Sequence, residues 1–285
     1  MKVLLSFIVV IAVTLLSSLA FSQERKVLLV SDIDDTIKNS HVLSTVAKLA
    51  QGPNITAAFT GMSQLYTLLN SQKNIKIVYL SNAPQEVAGI PAIRFFHQSF
   101  LDYNKFPKGD LLLRADLKDM NHKITQLRLL MQTQKPTDVI LVGDNGERDS
   151  EIYHQLTEEY KNQNIKFVTF IHQLYSSKRK IALDQILGTD LFSEVGKVIS
   201  TEQFGYVTPV EIALQLHQEG LLSDTNKQWM IDRMAPYIAS QPRTRFDASG
   251  ETTFAAFEDC SDFQWRWPVF REINGLVEKI RTQCK

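Results

Sequence analysis

The chain has 285 residues and a mass of 32.5 kDa, enough for one large domain or for one domain with a substantial appendage. Hydrophobic residues make up 44% and charged residues 22%, an ordinary globular balance. The formal net charge is zero, so no basic excess argues for a nucleic-acid partner.

Lys2 precedes an uncharged apolar run over residues 3–21, and Ala20-Phe21-Ser22 gives a small-x-small pattern before polar Gln23-Glu24-Arg25. A positive start, an apolar centre and a small-residue cleavage site predict a signal peptide over residues 1–22, and hence a secreted or periplasmic protein. The competing reading is an uncleaved membrane anchor, because the run approaches bilayer-spanning length. Cleavage removes Lys2 and no acid, which takes the basic count from 31 to 30 against 31 acids. The two cysteines are Cys260 and Cys284. In an oxidising compartment they can pair and close a C-terminal loop; the alternative is two buried thiols.

Short apolar runs then alternate with helical patterns. The predicted strands are 27–30, 75–80, 111–113, 139–142 and 165–171. Several are continuous apolar runs, as expected of strands covered on both faces. The predicted helices are 61–70, 92–102, 122–133 and 149–162. In the third, Asn121 is the expected cap, Ile124, Leu127, Leu130 and Met131 form the apolar face, and Lys135-Pro136 is the stop. Strand and helix in alternation predict an α/β fold with a parallel sheet and right-handed crossovers. After about His172 the pattern becomes mainly helical. Thr208-Pro209-Val210-Glu211 reads as a capping box with proline at the first helical position and Gly220 as a stop, and Ser223 or Asp224 caps a further helix through Met234. An aromatic stretch follows, containing Phe246, Phe254, Phe257, Phe263, Trp265, Trp267 and Phe270. These rings either fill a core or present a lipid- or partner-binding surface. The expected organisation is a signal peptide (1–22), an α/β core (23–172) and a mainly helical C-terminal region (173–285).

In an open parallel sheet, ligands bind beyond the carboxyl ends of the strands. The first strand is followed by Asp32, Asp34, Asp35 and Thr36, the second by Ser81 and Asn82, and the fourth by Gly143-Asp144, Glu147 and Asp149. Lys123 begins the helix before the fourth strand. Crowded carboxylates repel one another and raise their pKa values unless a cation sits among them. The chemistry that uses such a set is phosphoryl transfer through an aspartyl intermediate. A carboxylate attacks phosphorus, a metal ion offsets the repulsion, a second acid moves the proton, and a hydroxyl and a lysine hold the phosphoryl oxygens.

The segment Asp32-Ile33-Asp34-Asp35-Thr36 resembles the DxDxT signature of the haloacid-dehalogenase superfamily, and Ser81, Lys123, Asp144 and Asp149 follow in that superfamily's order. SDIDDTIK, YLSNAP, FPKGDLLLR, HK and LVGDNGERDSEIY more narrowly resemble the catalytic domain of the actin-patch-associated phosphatidate phosphatases and their bacterial relatives, over about residues 26–172. The resemblance implies a Rossmann-like sheet of order 5-4-1-2-3. It implies that Asp32 is the nucleophile and a Mg²⁺ ligand, and that Asp34 is the general acid/base with a metal-binding carbonyl. It makes Ser81 and Asn82 phosphoryl contacts, Lys123 the neutralising cation, and Asp144 and Asp149 metal ligands. Thr36 then stabilises the loop. Dehalogenases of this type lack an acid at the position of Asp34, so its presence implies phosphate-ester hydrolysis.

Weaker readings accompany these. Asp35 reads as a solvated or salt-bridged bystander, and Glu147 competes with Asp149 for the metal. His122 is a candidate substrate contact. Arg94, Arg114 and Arg148 are either phosphate contacts or surface residues. Residues 37–74 and 83–110 are too short for a full cap domain. A minimal cap leaves the site open to bulky phosphorylated substrates, with residues 41–59 and the Phe106-Pro107-Lys108-Gly109 turn as candidate rims. The expected activity is that of a Mg²⁺-dependent phosphatase on phosphatidate or another lipid phosphate, with a peripheral membrane contact. The alternatives are a broad extracytoplasmic phosphomonoesterase acting on nucleotides or sugar phosphates, and a non-catalytic anion- or lipid-binding protein.

Overall fold

The computed structural model describes residues 25–40, 42, 53–72, 74–86, 92–175, 177, 196–241 and 271–283. The signal-peptide segment, both cysteines, the aromatic stretch from Phe246 to Phe270 and most of the 41–59 rim lie outside these residues.

Among the described residues six strands form one parallel sheet: β1 Val27–Ser31, β2 Ile75–Pro84, β3 Asp110–Arg114, β4 Asp138–Asp144, β5 Lys166–His172 and β6 Phe204–Tyr206. Their order is β3-β2-β1-β4-β5-β6. This is the expected 5-4-1-2-3 arrangement with a sixth strand beyond β5. The sequence missed β6 because three residues carry no readable period; its pairing with Phe170, Ile171 and His172 makes it a strand. β1 lies at the centre, opposite Ile75 to Tyr79 on one side and Asp138 to Val142 on the other.

Helices α1 Met62–Asn70, α2 Ala92–Tyr103, α3 His122–Gln134 and α4 Asp149–Tyr160 make the crossovers. Side chains alternate between faces along each strand. Leu28, Val30, Val78, Leu80, Val139 and Leu141 therefore pack with Ile124 and Leu127 of α3 and with Ile152 and Leu156 of α4. Leu29, Ile77, Tyr79, Ile140 and Val142 face the other way, onto α1 and α2. In α1 the buried residues Met62, Leu65, Tyr66 and Leu69 fall at one helical face.

The C-terminal region adds α5 Pro209–Gln218, α6 Asp224–Trp229, α7 Ala235–Ser240 and α8 Asn274–Gln283. Val210, Leu214, Leu222, Met230, Ile238 and Ile280 join the same cluster as Leu29 and α1. The Thr208–Glu211 capping box forms, and Ser223 Oγ accepts from the Asn226 amide as the next cap. The helix from Ser223 does not stop at Met234. A π-helical turn, Met230–Met234, carries it into α7. Pro236 has no amide to donate back into the ladder, which accounts for the altered turn before it.

Two further expectations are corrected. Asn121 precedes α3 but makes no side-chain cap. Phe106 is buried with Tyr66, Tyr79 and Phe100 around it and fills the core, and its turn leads into the amino end of β3, away from the carboxyl ends of the strands.

Candidate active site

The site is built at the carboxyl ends of β1, β2 and β4. β1 stops at Ser31, and the Asp32 amide donates to the Val142 carbonyl at 2.9 Å, which docks the loop against β4. The Ile33 carbonyl then accepts from Thr36, Ile37 and Lys38 at 3.3, 3.0 and 2.9 Å. That tight turn separates the two aspartates of the motif.

Asp32 is buried, and Lys123 Nζ lies 2.8 Å from its Oδ1. The same ammonium forms a short bond to Asp149 Oδ1 and stands 4.0 Å from Glu147 Oε2. Thr36 Oγ1 donates to Asp32 Oδ2 at 3.2 Å, which gives that threonine its loop-stabilising place. Asp32, Asp144 and Asp149 present carboxylate oxygens that all lie within 4.8 Å of one another. Asp144 Oδ1 accepts from the Gly146 and Glu147 amides at 2.6 and 3.1 Å, while its Oδ2 is buried without a partner among the described residues. Gly143 permits the close approach of α4: a Cβ there would sit 2.5 Å from Asp149 Oδ2.

Burial, together with the negative charges of Asp149 and Glu147, raises the Asp32 pKa well above the ordinary carboxylate value, with Lys123 opposing. Asp144 is raised by burial and by Asp149 and Asp32, and Asp149 is raised by burial against the pull of Lys123. Burial works against the Lys123 ammonium, yet Asp149 and Asp32 outweigh it and keep the lysine charged. Three carboxylates with one ammonium leave an excess of two negative charges, which a divalent cation offsets. The all-oxygen donor set and the orphaned Asp144 Oδ2 fit a hard metal ion.

Asp34 does not share that cluster. Its Oδ1 accepts from Ser40 Oγ at 2.5 Å, and its Oδ2 lies 3.2 Å from His97 Nε2. Burial alone raises its pKa, but His97, Lys38 and Ser40 together bring it far below the usual carboxylate range. His97 was missed in the sequence. It lies on α2 at the buried positions shared with Phe100 and Leu101, and an imidazole on that apolar face was the available signal.

Ser81 and Asn82 fall inside β2, not after it, because the strand runs on through a register shift to Pro84. Ser81 is buried and its Oγ accepts from the Ala83 amide at 3.0 Å. Asn82 Nδ2 donates to Glu147 Oε2 at 3.0 Å, so Glu147 bridges Asn82 towards Lys123 while Asp149 occupies the carboxylate cluster.

Asp35 is no solvated bystander. It is buried at φ 60°, where aspartate is tolerated better than most residues. Its carboxylate accepts from the Ser40 and Val42 amides at 2.8 and 2.7 Å and from Tyr175 in a short bond, so it organises the loop. Arg148 pairs with Glu151 on the surface, and Arg94 donates to the Leu111 carbonyl at 3.3 Å. Arg114 ends β3.

An open parallel sheet thus carries an Asp-x-Asp-x-Thr loop on its central strand, with a buried lysine and two further aspartates at the same end. Residues 27–172 match the family described as the catalytic domain of phosphatidate phosphatase APP1, and the chain belongs to that family. It is also similar to an uncharacterised protein of Schizosaccharomyces pombe, 22% identical over 192 residues, covering 64% of this chain and 30% of that protein. The chain therefore spans about a third of the length of that curated relative. Two solved structures of the class C acid phosphatase from Bacillus anthracis are also similar. The form with tungstate bound has a TM-score of 0.37 at 19% identity, the other 0.35 at 22%, and each match covers 56% of this chain and 72% of that one.

Proposed function

We propose that this chain hydrolyses phosphate monoesters with Mg²⁺, through an aspartyl-phosphate at Asp32, and that its substrate is a lipid phosphate such as phosphatidate. The observation that carries the chemistry is the Asp32 carboxylate, held at 2.8 Å by Lys123 inside the cluster with Asp144 and Asp149. Asp32, Asp144, Asp149 and the Asp34 carbonyl would hold Mg²⁺, which would supply charge neutralisation for a dianionic phosphate. Asp32 attacks phosphorus, the ester P–O bond breaks, and Lys123 and Ser81 hold the phosphoryl oxygens. The leaving alkoxide takes a proton through Asp34. Water then attacks the aspartyl-phosphate, its proton returns to Asp34, and inorganic phosphate and free Asp32 result.

The lipid reading is supported by the family and by exposed apolar side chains at the same end of the sheet. Phe95 lies in the first turn of α2, after β2, and Leu117 and Met120 lie in the connection that leaves β3; they are 66%, 56% and 66% exposed. Such side chains suit a peripheral membrane contact. The N-terminal pattern of the sequence supports an extracytoplasmic location.

The test is phosphate release from dispersed phosphatidate, adenosine 5′-monophosphate and p-nitrophenyl phosphate, with Mg²⁺ or EDTA, by the purified protein and by Asp32→Asn. Metal-dependent release from phosphatidate, lost in Asp32→Asn, is expected. Activity that survives EDTA or Asp32→Asn refutes the mechanism. Turnover of the nucleotide without the lipid replaces the lipid assignment with a broad phosphomonoesterase, and metal-bound phosphate without turnover leaves an anion-binding protein.

A further inference from the structure

Among the described residues, two nitrogen atoms of the groups around Lys123 are buried without a hydrogen-bond partner: Nε of Arg114 and Nε2 of His122. Neither belongs to the machinery described above. Arg114 is the last residue of β3; it pairs with Pro84, and its carbonyl accepts from the Gln85 amide at 2.8 Å. It thus stands at the end of the segment carrying Ser81 and Asn82. His122 opens α3 next to Lys123 and is 5% exposed.

The start of α3 is itself incomplete. Asn121 supplies no side-chain cap and no acid lies in the first turn of this 13-residue helix. The His122 amide reaches only the Asp119 carbonyl, at 3.4 Å, and the positive end of the helix dipole is left for an anion. Asp119, the acid that acts on His122, is exposed and its Oδ1 is engaged by the Asn121 amide at 2.9 Å. Burial and the nearby Arg114 and Lys123 charges lower the His122 pKa, which marks the two cations as its electrostatic neighbours.

We infer that Arg114, His122 and the first turn of α3 form an anion subsite next to the phosphoryl site, which takes a second phosphate-type group. An unmade buried hydrogen bond is costly, and a doubly charged acceptor satisfies both orphaned groups where water satisfies them only weakly. The second group is carried by the substrate's leaving portion or by a neighbouring anionic lipid headgroup. The proposal rests on the phosphatase reading only for the place of the first phosphate.

The test is binding without turnover. Calorimetric titration of the full chain with inorganic phosphate, methylenebisphosphonate and propylenebisphosphonate, at fixed Mg²⁺ and in EDTA, measures what a second anionic group adds. One of the bisphosphonates is expected to bind roughly ten- to hundredfold more tightly than phosphate, the contribution of one charge-assisted hydrogen bond. Arg114→Gln and His122→Leu are expected to lose that advantage, and His122→Gln, which keeps a donor, to retain part of it. Arg148→Gln, a surface control, retains it all. Where Arg114→Gln fails to fold, Arg114→Lys answers the same question, since it keeps charge and loses the Nε donor. Co-sedimentation with phosphatidylcholine vesicles, with and without phosphatidylglycerol, distinguishes the source. Arg114-dependent binding to the anionic vesicles assigns the group to a lipid headgroup, and an advantage confined to bisphosphonates assigns it to the substrate. Bisphosphonates that bind no more tightly than phosphate, or an advantage that survives both Arg114→Gln and His122→Leu, overturn the subsite while leaving the hydrolysis at Asp32 untouched.

Discussion

Asp144→Asn should raise the stability of the metal-free protein and abolish its stabilisation by Mg²⁺. Asp144 Oδ1 caps the following loop through the Gly146 and Glu147 amides, and asparagine keeps that acceptor. Oδ2 is the atom with no partner, within 4.8 Å of ligand oxygens of Asp32 and Asp149. An amide Nδ2 in its place donates towards those carboxylates and removes one buried negative charge. Leaving a buried polar group unsatisfied costs about 1–3 kcal/mol, so the variant should gain about that much in EDTA. The gain corresponds to roughly 2–4 °C in Tm for each kcal/mol in a chain of this size. Mg²⁺ at about one thousand times its Kd stabilises the native protein by ~4.1 kcal/mol and should leave the variant unmoved. Thermal unfolding followed by circular dichroism, in EDTA and in saturating Mg²⁺, therefore reverses the order of the two proteins. A variant less stable than the native protein in EDTA, with the same Mg²⁺ gain, refutes the metal assignment and the electrostatic reasoning together.

The remaining predictions concern the frame around the site. Burial raises the Glu211 pKa from 4.5 to about 7, although Thr208 donates to its carboxylate. Between those values the folded protein holds a proton that the unfolded chain has released. The Glu211 contribution is therefore full below the unfolded pKa and is lost as pH rises through about 7, by roughly 3 kcal/mol. Glu211→Gln should flatten the urea-unfolding stability across that window; an unchanged slope rejects the assignment. Asp35→Ala strands the Ser40 and Val42 amides and the Tyr175 hydroxyl, and should cost about 3 kcal/mol by the same measurement. Asp35→Asn, which keeps one acceptor and tolerates the positive φ, should cost less, and equal losses in the two variants would show that the carboxylate is not the organiser.

The residues of the candidate site were legible because they sit where local pattern is strongest. Asp32, Asp144 and Lys123 follow or precede long apolar or helical runs, and the parallel order of those runs brings their ends together. What escaped depends on contacts distant in sequence. Asp35 looks like a spare acid until Tyr175, 140 residues away, reaches its carboxylate. His97 looks incidental until α2 folds back and sets its ring against Asp34, 63 residues earlier. β6 has three residues and exists because β5 offers an edge. Asn121 has the right type for a cap, but its amide turns back to Asp119 and its side chain is left out of the helix.

The two aspartates of the motif end in opposite electrostatic states, and this follows from the turn that starts at Ile33 and encloses Asp34. Three amides converge on the Ile33 carbonyl and turn the chain so that Asp32 stays with Lys123 and the metal-type cluster while Asp34 swings to Ser40 and His97. Asp32 is raised by burial among acids, and Asp34 is lowered by its imidazole partner. An ionised Asp34 has no proton of its own to give. His97 Nδ1 faces the Ile93 carbonyl at 2.9 Å and its Nε2 faces Asp34 at 3.2 Å, so the ring donates on the first side and one proton must lie on the second for that hydrogen bond to exist. Whether that proton rests on the imidazole or the carboxyl, the pair holds it. On the proposed mechanism the acid that meets the leaving oxygen is therefore the Asp34–His97 pair. The motif supplies only the half that faces the substrate, and α2 supplies the other.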